Sequence, residues 1–96
     1  EQADKQPKIK AVAVDDSKMI LNIYKSTLFE LGCEPILFIK PLEAVEWLKN
    51  NKPDIVFTDL NMPGITGVEL IERTRDIYPK EELPIIMVTT QNEMQD

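Results

Sequence analysis

Four short apolar runs punctuate the chain: Ala11-Val12-Ala13-Val14, Ile36-Leu37-Phe38-Ile39, Ile55-Val56-Phe57 and Ile85-Ile86-Met87-Val88. None alternates with polar residues as a strand with one wet face does, so each predicts a parallel strand covered on both sides. The stretches between them carry helical spacing. Residues 18–31 set Ile20, Ile23, Tyr24, Leu28 and Leu31 on one stripe, with Ser17 as N-cap and Gly32 just past the end. Residues 41–50 turn Ala44, Val45 and Leu48 inward behind Pro41, a residue suited to a first helical position, while Lys40 is an unexpected cap. Residues 67–78 follow Thr66-Gly67-Val68-Glu69, a capping box, with Leu70, Ile71, Thr74 and Ile77 on one face.

The resulting order, βαβαβαβ, predicts an α/β fold: a doubly wound parallel sheet with right-handed helical crossovers. Pro35 cannot donate to a ladder and marks the second strand as an edge, which the strand order 2-1-3-4 satisfies. Such a sheet reverses its winding between strands 1 and 3, and ligands bind there at the carboxyl ends. Strand 1 runs into Asp15-Asp16, strand 3 into Asp59 and strand 4 into Thr89-Thr90. Three carboxylates and a hydroxyl therefore meet at one rim.

Composition narrows the chemistry available. With 43% hydrophobic and 29% charged residues, 96 residues make one small globular domain, residues 9–96 behind a polar lead-in of residues 1–8. The net charge of −6 argues against direct binding of nucleic acid or an anionic membrane. No stretch approaches a membrane span and the start has no apolar core of a signal peptide, so a cytoplasmic domain is expected. The chain opens on Glu1 rather than Met, as a processed or excised fragment does. Histidine is absent, which removes Ser/His/Asp and Cys/His catalysis, and the lone Cys33 excludes an internal disulfide and reads as packing. Chemistry is left to carboxylates, hydroxyls, lysines and backbone.

Three acids at a partly desolvated rim repel one another unless a cation sits among them. Magnesium, or manganese in its place, suits one or two carboxylates plus a carbonyl, and Asn61 on the turn after Asp59 offers its backbone carbonyl. With the ion present, Asp59 fits a nucleophile that attacks phosphorus and forms an acyl phosphate. Thr89 is placed to hydrogen-bond a phosphoryl oxygen, and Pro63, Gly64 and Gly67 to hold the turn close to it. Each feature has a plainer reading: Asp15-Asp16 as a solvated turn, Asp59 as a turn cap, Thr89 as β-propensity.

Ala13-Val14-Asp15-Asp16-Ser17, Thr58-Asp59-Leu60-Asn61-Met62-Pro63-Gly64 through Gly67, and Pro84-Ile85-Ile86-Met87-Val88-Thr89, in that order and spacing, resemble the receiver domain of bacterial response regulators. The resemblance implies that Asp59 accepts a phosphoryl group from a histidine kinase or phosphotransfer protein and switches an output partner or domain. It implies Asp16 as a direct magnesium ligand, Asp15 as one acting mainly through water, Asn61 as a carbonyl ligand and Thr89 as the switch hydroxyl. The module is then a signalling phosphoacceptor, assisting its own phosphorylation and dephosphorylation, rather than an enzyme.

The chain departs from the family at its end. A receiver continues past the switch threonine into a fourth helix, a fifth strand and a fifth helix, and this sequence has no counterpart of them. The strand-5 lysine and switch aromatic are also missing, since Lys18 and Lys40 occupy other places. Strand 4 should then be an edge with one face uncovered, unless a second chain completes the sheet by swapping or pairing. The missing lysine keeps a non-phosphorylated interaction module in play. A haloacid-type aspartyl phosphatase fits less well, because Asn61 stands where those enzymes place a second acid.

Overall fold

The computed structural model describes residues 8–59 and 65–88. Along the chain lie β1 (Ile9–Val14), α1 (Lys18–Glu30), β2 (Cys33–Phe38), α2 (Pro41–Asn50), β3 (Ile55–Thr58), α3 (Gly67–Arg75) and β4 (Ile85–Met87). The four strands form one parallel sheet in the order β2-β1-β3-β4, with Pro35 on the edge strand as expected. In register, Val14 lies between Phe38 and Thr58, and Thr58 beside Met87, so the carboxyl ends of all four strands reach one rim.

One face of the sheet packs the main core. Val12, Val14 and Val56 meet Ala44, Val45 and Leu48 of α2, Leu70 of α3, and Ile65 and Leu83 from the connections. Phe38 and Trp47, both partly buried, close its flank with ring centroids 5.9 Å apart. The opposite face belongs to α1, where Tyr24 lies against Phe57 at 5.6 Å.

Helix boundaries follow local chemistry. Ser17 accepts the amide of Ile20 at 3.3 Å, and α1 stops where Gly32 takes φ +87°, a left-handed conformation costly for any residue with a Cβ. Thr66 accepts the amide of Glu69 at 3.1 Å, half of the capping box. Lys40 makes no side-chain cap bond; its carbonyl accepts the amides of Glu43 and Ala44, and Pro41 presets the first turn.

Several boundaries and faces differ from expectation. On α1 the buried residues are Leu21 and Leu28, whereas Ile23 is 57% and Leu31 71% exposed. Leu21 and Leu28, seven apart, lie on one line of the helix, so the inward face is rotated from the expected stripe, which omits Leu21 and includes Ile23 and Leu31. β2 starts at Cys33, three residues before its apolar run, because Cys33 and Glu34 pair with Ile9 and Lys10; Cys33 is half-buried. α3 ends at Arg75, after which the amides of Ile77 and Tyr78 both turn to the Thr74 carbonyl. β4, by contrast, is as expected an edge covered on one side only among the described residues, with Ile86 44% exposed.

Tyr78 ties this last turn to α2, its hydroxyl donating to the carbonyls of Leu48 at 2.9 Å and Asn51 at 3.2 Å. Removing that donor leaves the C-terminal carbonyls of α2 to water. Tyr78→Phe is expected to cost about 1 kcal/mol, a fall of roughly 4–8 °C in melting temperature. Thermal unfolding followed by circular dichroism checks it. Among the described residues no helix is long and apolar enough to cross a membrane.

Candidate functional site

The rim acids are delivered by backbone that is still sheet-like beyond the strand ends. The Asp15 amide donates to the Phe38 carbonyl at 3.1 Å and the Asp59 amide to the Val14 carbonyl at 3.2 Å. The β2-β1 and β1-β3 ladders each extend by one bond, and the bond lands on an acid. As a result, one oxygen from each of Asp15, Asp16 and Asp59 lies within 4.8 Å of the others.

The three acids have different surroundings. Asp15 is 2% and Asp59 7% exposed, while Asp16 faces solvent. Asp15 Oδ1 accepts the amide of Ser17 at 2.9 Å, but its Oδ2 is buried with no hydrogen-bond partner among the described residues. Burial above all pushes the Asp15 carboxyl above its ordinary range, the charges of Asp59 and Asp16 add to this, and the Ser17 amide opposes it. Such an atom is expensive to bury in an apoprotein, and a hard divalent cation shared with two further carboxylates removes the expense. The donor set, all oxygen and mostly anionic, fits magnesium or manganese rather than a softer metal.

Two features of this region were not expected from sequence. Tyr24, on α1, lies within the field of the site: burial first, then the charges of Asp15 and Asp59, raise its phenol above the ordinary value. Thr58, fully buried, turns its hydroxyl to the Asp59 carbonyl at 3.1 Å. A tyrosine between apolar helix residues and a threonine in a strand are common in any core, so neither announces itself.

Of the other expected site residues, Gly67 opens α3 directly behind the Thr66 cap and is buried. Asn61, Pro63, Gly64 and Thr89 lie outside the described residues.

Known proteins share both the pattern and the shape. The sequence pattern of the response regulator receiver domain matches residues 11–96. A chemotaxis protein CheY homolog of Campylobacter jejuni is 40% identical over 85 residues, covering 86% of this chain and 65% of that protein. Chemotaxis protein CheY1 of Helicobacter pylori is 39% identical, covering 86% of this chain and 68% of its own length. The chain thus spans 65% of the length of the Campylobacter relative. Among solved structures, chemotaxis response regulator CheY4 of Vibrio cholerae superposes with TM-score 0.82 at 31% identity, over 91% of this chain and 72% of that one. A CheY-like receiver protein of Methanospirillum hungatei gives TM-score 0.82 at 25% identity, over 92% and 69% of the respective chains.

Proposed function

Because this chain belongs to the response regulator receiver family, we propose that it is a phosphoacceptor of two-component signalling in which Asp59 takes a phosphoryl group at a magnesium-holding acid site. The observation that carries the reading is the buried carboxylate of Asp15, whose Oδ2 has no hydrogen-bond partner among the described residues and which has an oxygen within 4.8 Å of oxygens of Asp16 and Asp59. An acidic cluster on a surface has many explanations. A buried carboxylate with one oxygen lacking a donor among the described residues, clustered with two more acids, has few.

In this reading one Asp59 carboxylate oxygen forms a bond to phosphorus while the bond from phosphorus to the donor breaks. The donor is a phosphohistidine of a kinase or phosphotransfer protein, or a small acyl phosphate, and its nitrogen or oxygen leaves with the electron pair. The Asp59 backbone is held at both ends, its N–H donating to the Val14 carbonyl and its own carbonyl accepting the Thr58 hydroxyl, which sets where the acid leaves β3 before the donor arrives. Asp16 and Asp59 would hold the magnesium ion directly, Asp15 mainly through water, and the Asn61 carbonyl would complete the protein ligands. Bound there, magnesium supplies positive charge against the phosphoryl oxygens. The Thr89 hydroxyl would then bond the phosphoryl group and pass the change to an output partner or domain. The chain works on the cytoplasmic side, as a signalling acceptor rather than a turnover enzyme.

An acyl phosphate has a distinctive reactivity. After incubation with acetyl phosphate and magnesium, the loaded chain is expected to lose its phosphoryl group to neutral hydroxylamine and to hydrolyse no p-nitrophenyl phosphate beyond one equivalent. Sustained turnover of the ester would point instead to a haloacid-type phosphatase. A hydroxylamine-stable adduct would place the phosphate on a hydroxyl and overturn the assignment to a carboxylate.

A further inference from the structure

We propose that Thr58 is a positioning residue of the acid site, its buried hydroxyl clamping the Asp59 carbonyl and so setting the direction in which the acid leaves β3. The inference rests on the reading of Asp59 as acceptor and metal ligand and adds a residue to it. Thr58 is wholly buried on the face of the sheet that packs α2 and α3, in register with Val14 and two residues from Val56. Valine fills that space equally well without a hydroxyl to satisfy, so packing alone does not account for threonine here. Among the described residues the other fully buried threonine, Thr74, donates its hydroxyl to the carbonyl of Leu70, four residues back on its own helix. Thr58 instead donates forward, to the carbonyl of the next residue, at 3.1 Å.

The position of that carbonyl explains the use. β3 ends at Thr58, whose own carbonyl accepts the amide of Val88, the residue just past β4, at 2.8 Å. The Asp59 amide is still held by β1, through the Val14 carbonyl at 3.2 Å. The Asp59 carbonyl lies one step beyond the strand, and Thr58 Oγ1 occupies it. Both peptide groups of the acid are thereby fixed, one by the sheet and one by a side chain on the far side of the sheet from α1. A hydroxyl that holds a ligand's backbone acts on metal affinity as other outer supports do, through ligand orientation.

Two substitutions and one direct observation test this. In the unmodified chain the Thr58 hydroxyl proton is expected to be protected from solvent exchange by NMR; rapid exchange would overturn the inference without any mutation. By electron paramagnetic resonance with Mn²⁺ alone, Thr58→Val is expected to bind the ion roughly 10-fold more weakly, at the low end for outer supports, while Thr58→Ser stays close to wild type. Wild-type affinity in a folded Val variant would overturn the clamp, as would a Ser variant as weak as Val, since the loss would then follow the methyl group. Should the Val variant not fold, hydroxyl exchange in the unmodified chain decides. An unmodified chain that binds no Mn²⁺ overturns the acid-site reading itself, an outcome separate from equal binding by wild type and Val.

Discussion

Asp15→Asn is expected to make the metal-free protein more stable at neutral pH and to weaken its magnesium binding by roughly 10–100-fold, the range for groups that support a metal from its outer shell. The two effects have one origin. Burial and the neighbouring acids hold the folded-state pKa of Asp15 above its ordinary 3.8. Below pH 3.8 the carboxyl is protonated folded or unfolded and adds no difference. As pH rises past that value the unfolded chain loses its proton first, so the native state is progressively disfavoured until the folded pKa is passed, and the cost is constant above it. Asparagine carries no charge and escapes this cost. The melting temperature at pH 7 without metal should rise on the order of 5 °C, the shift that ~1 kcal/mol produces in a domain of this size, with little change near pH 3. Adding magnesium should raise the melting temperature of the wild type and barely move the variant. Thermal scans at both pH values, with magnesium and with chelator, check all three statements. A variant that melts lower than wild type without metal would mean that Oδ2 has a partner after all.

Leu48→Ala is expected to have the largest effect on the fold, about 2–5 kcal/mol. Leu48 is fully buried on α2, in the cluster with Val12, Val14, Val56 and Leu70. A domain this small has a margin of the same order, so the variant should be substantially unfolded at room temperature or melt far lower. Urea titration followed by far-UV circular dichroism checks it. Ile23→Ala on α1 is the matched control: the residue is more than half exposed, and its loss should stay within about 0.5 kcal/mol. A large loss at Ile23 would contradict the orientation found for α1.

That control also marks where sequence reasoning ended. Strand directions, the order with β2 at the edge and the convergence of Asp15, Asp16 and Asp59 follow from local rules. Apolar runs too uniform for a half-wet sheet, a proline that cannot sit in a central strand and acids at strand ends are all written in neighbouring residues. Rotation of α1 is not: the spacing favours a stripe through Ile20, Ile23, Tyr24, Leu28 and Leu31, whereas packing on the sheet buries Leu21 with Leu28 and leaves Ile23 and Leu31 exposed. β2 begins at Cys33 because Ile9 and Lys10 supply partners 24 residues earlier in the chain, a pairing that Glu34-Pro35 conceal. The link from Tyr24 to the acids and the bond from Thr58 to Asp59 depend on side-chain direction, which sequence spacing leaves open. Asn61 and Thr89, expected at the site from their motifs, lie outside the described residues and are reached by mutation rather than geometry.

The central claim is that Asp59 carries the phosphoryl group, and intact-mass analysis after incubation with acetyl phosphate and magnesium tests it most directly. One phosphoryl adduct is expected on the wild-type chain, with none on Asp59→Asn and none when the metal is chelated. An adduct of equal yield on Asp59→Asn, or its formation without a divalent cation, would contradict the account.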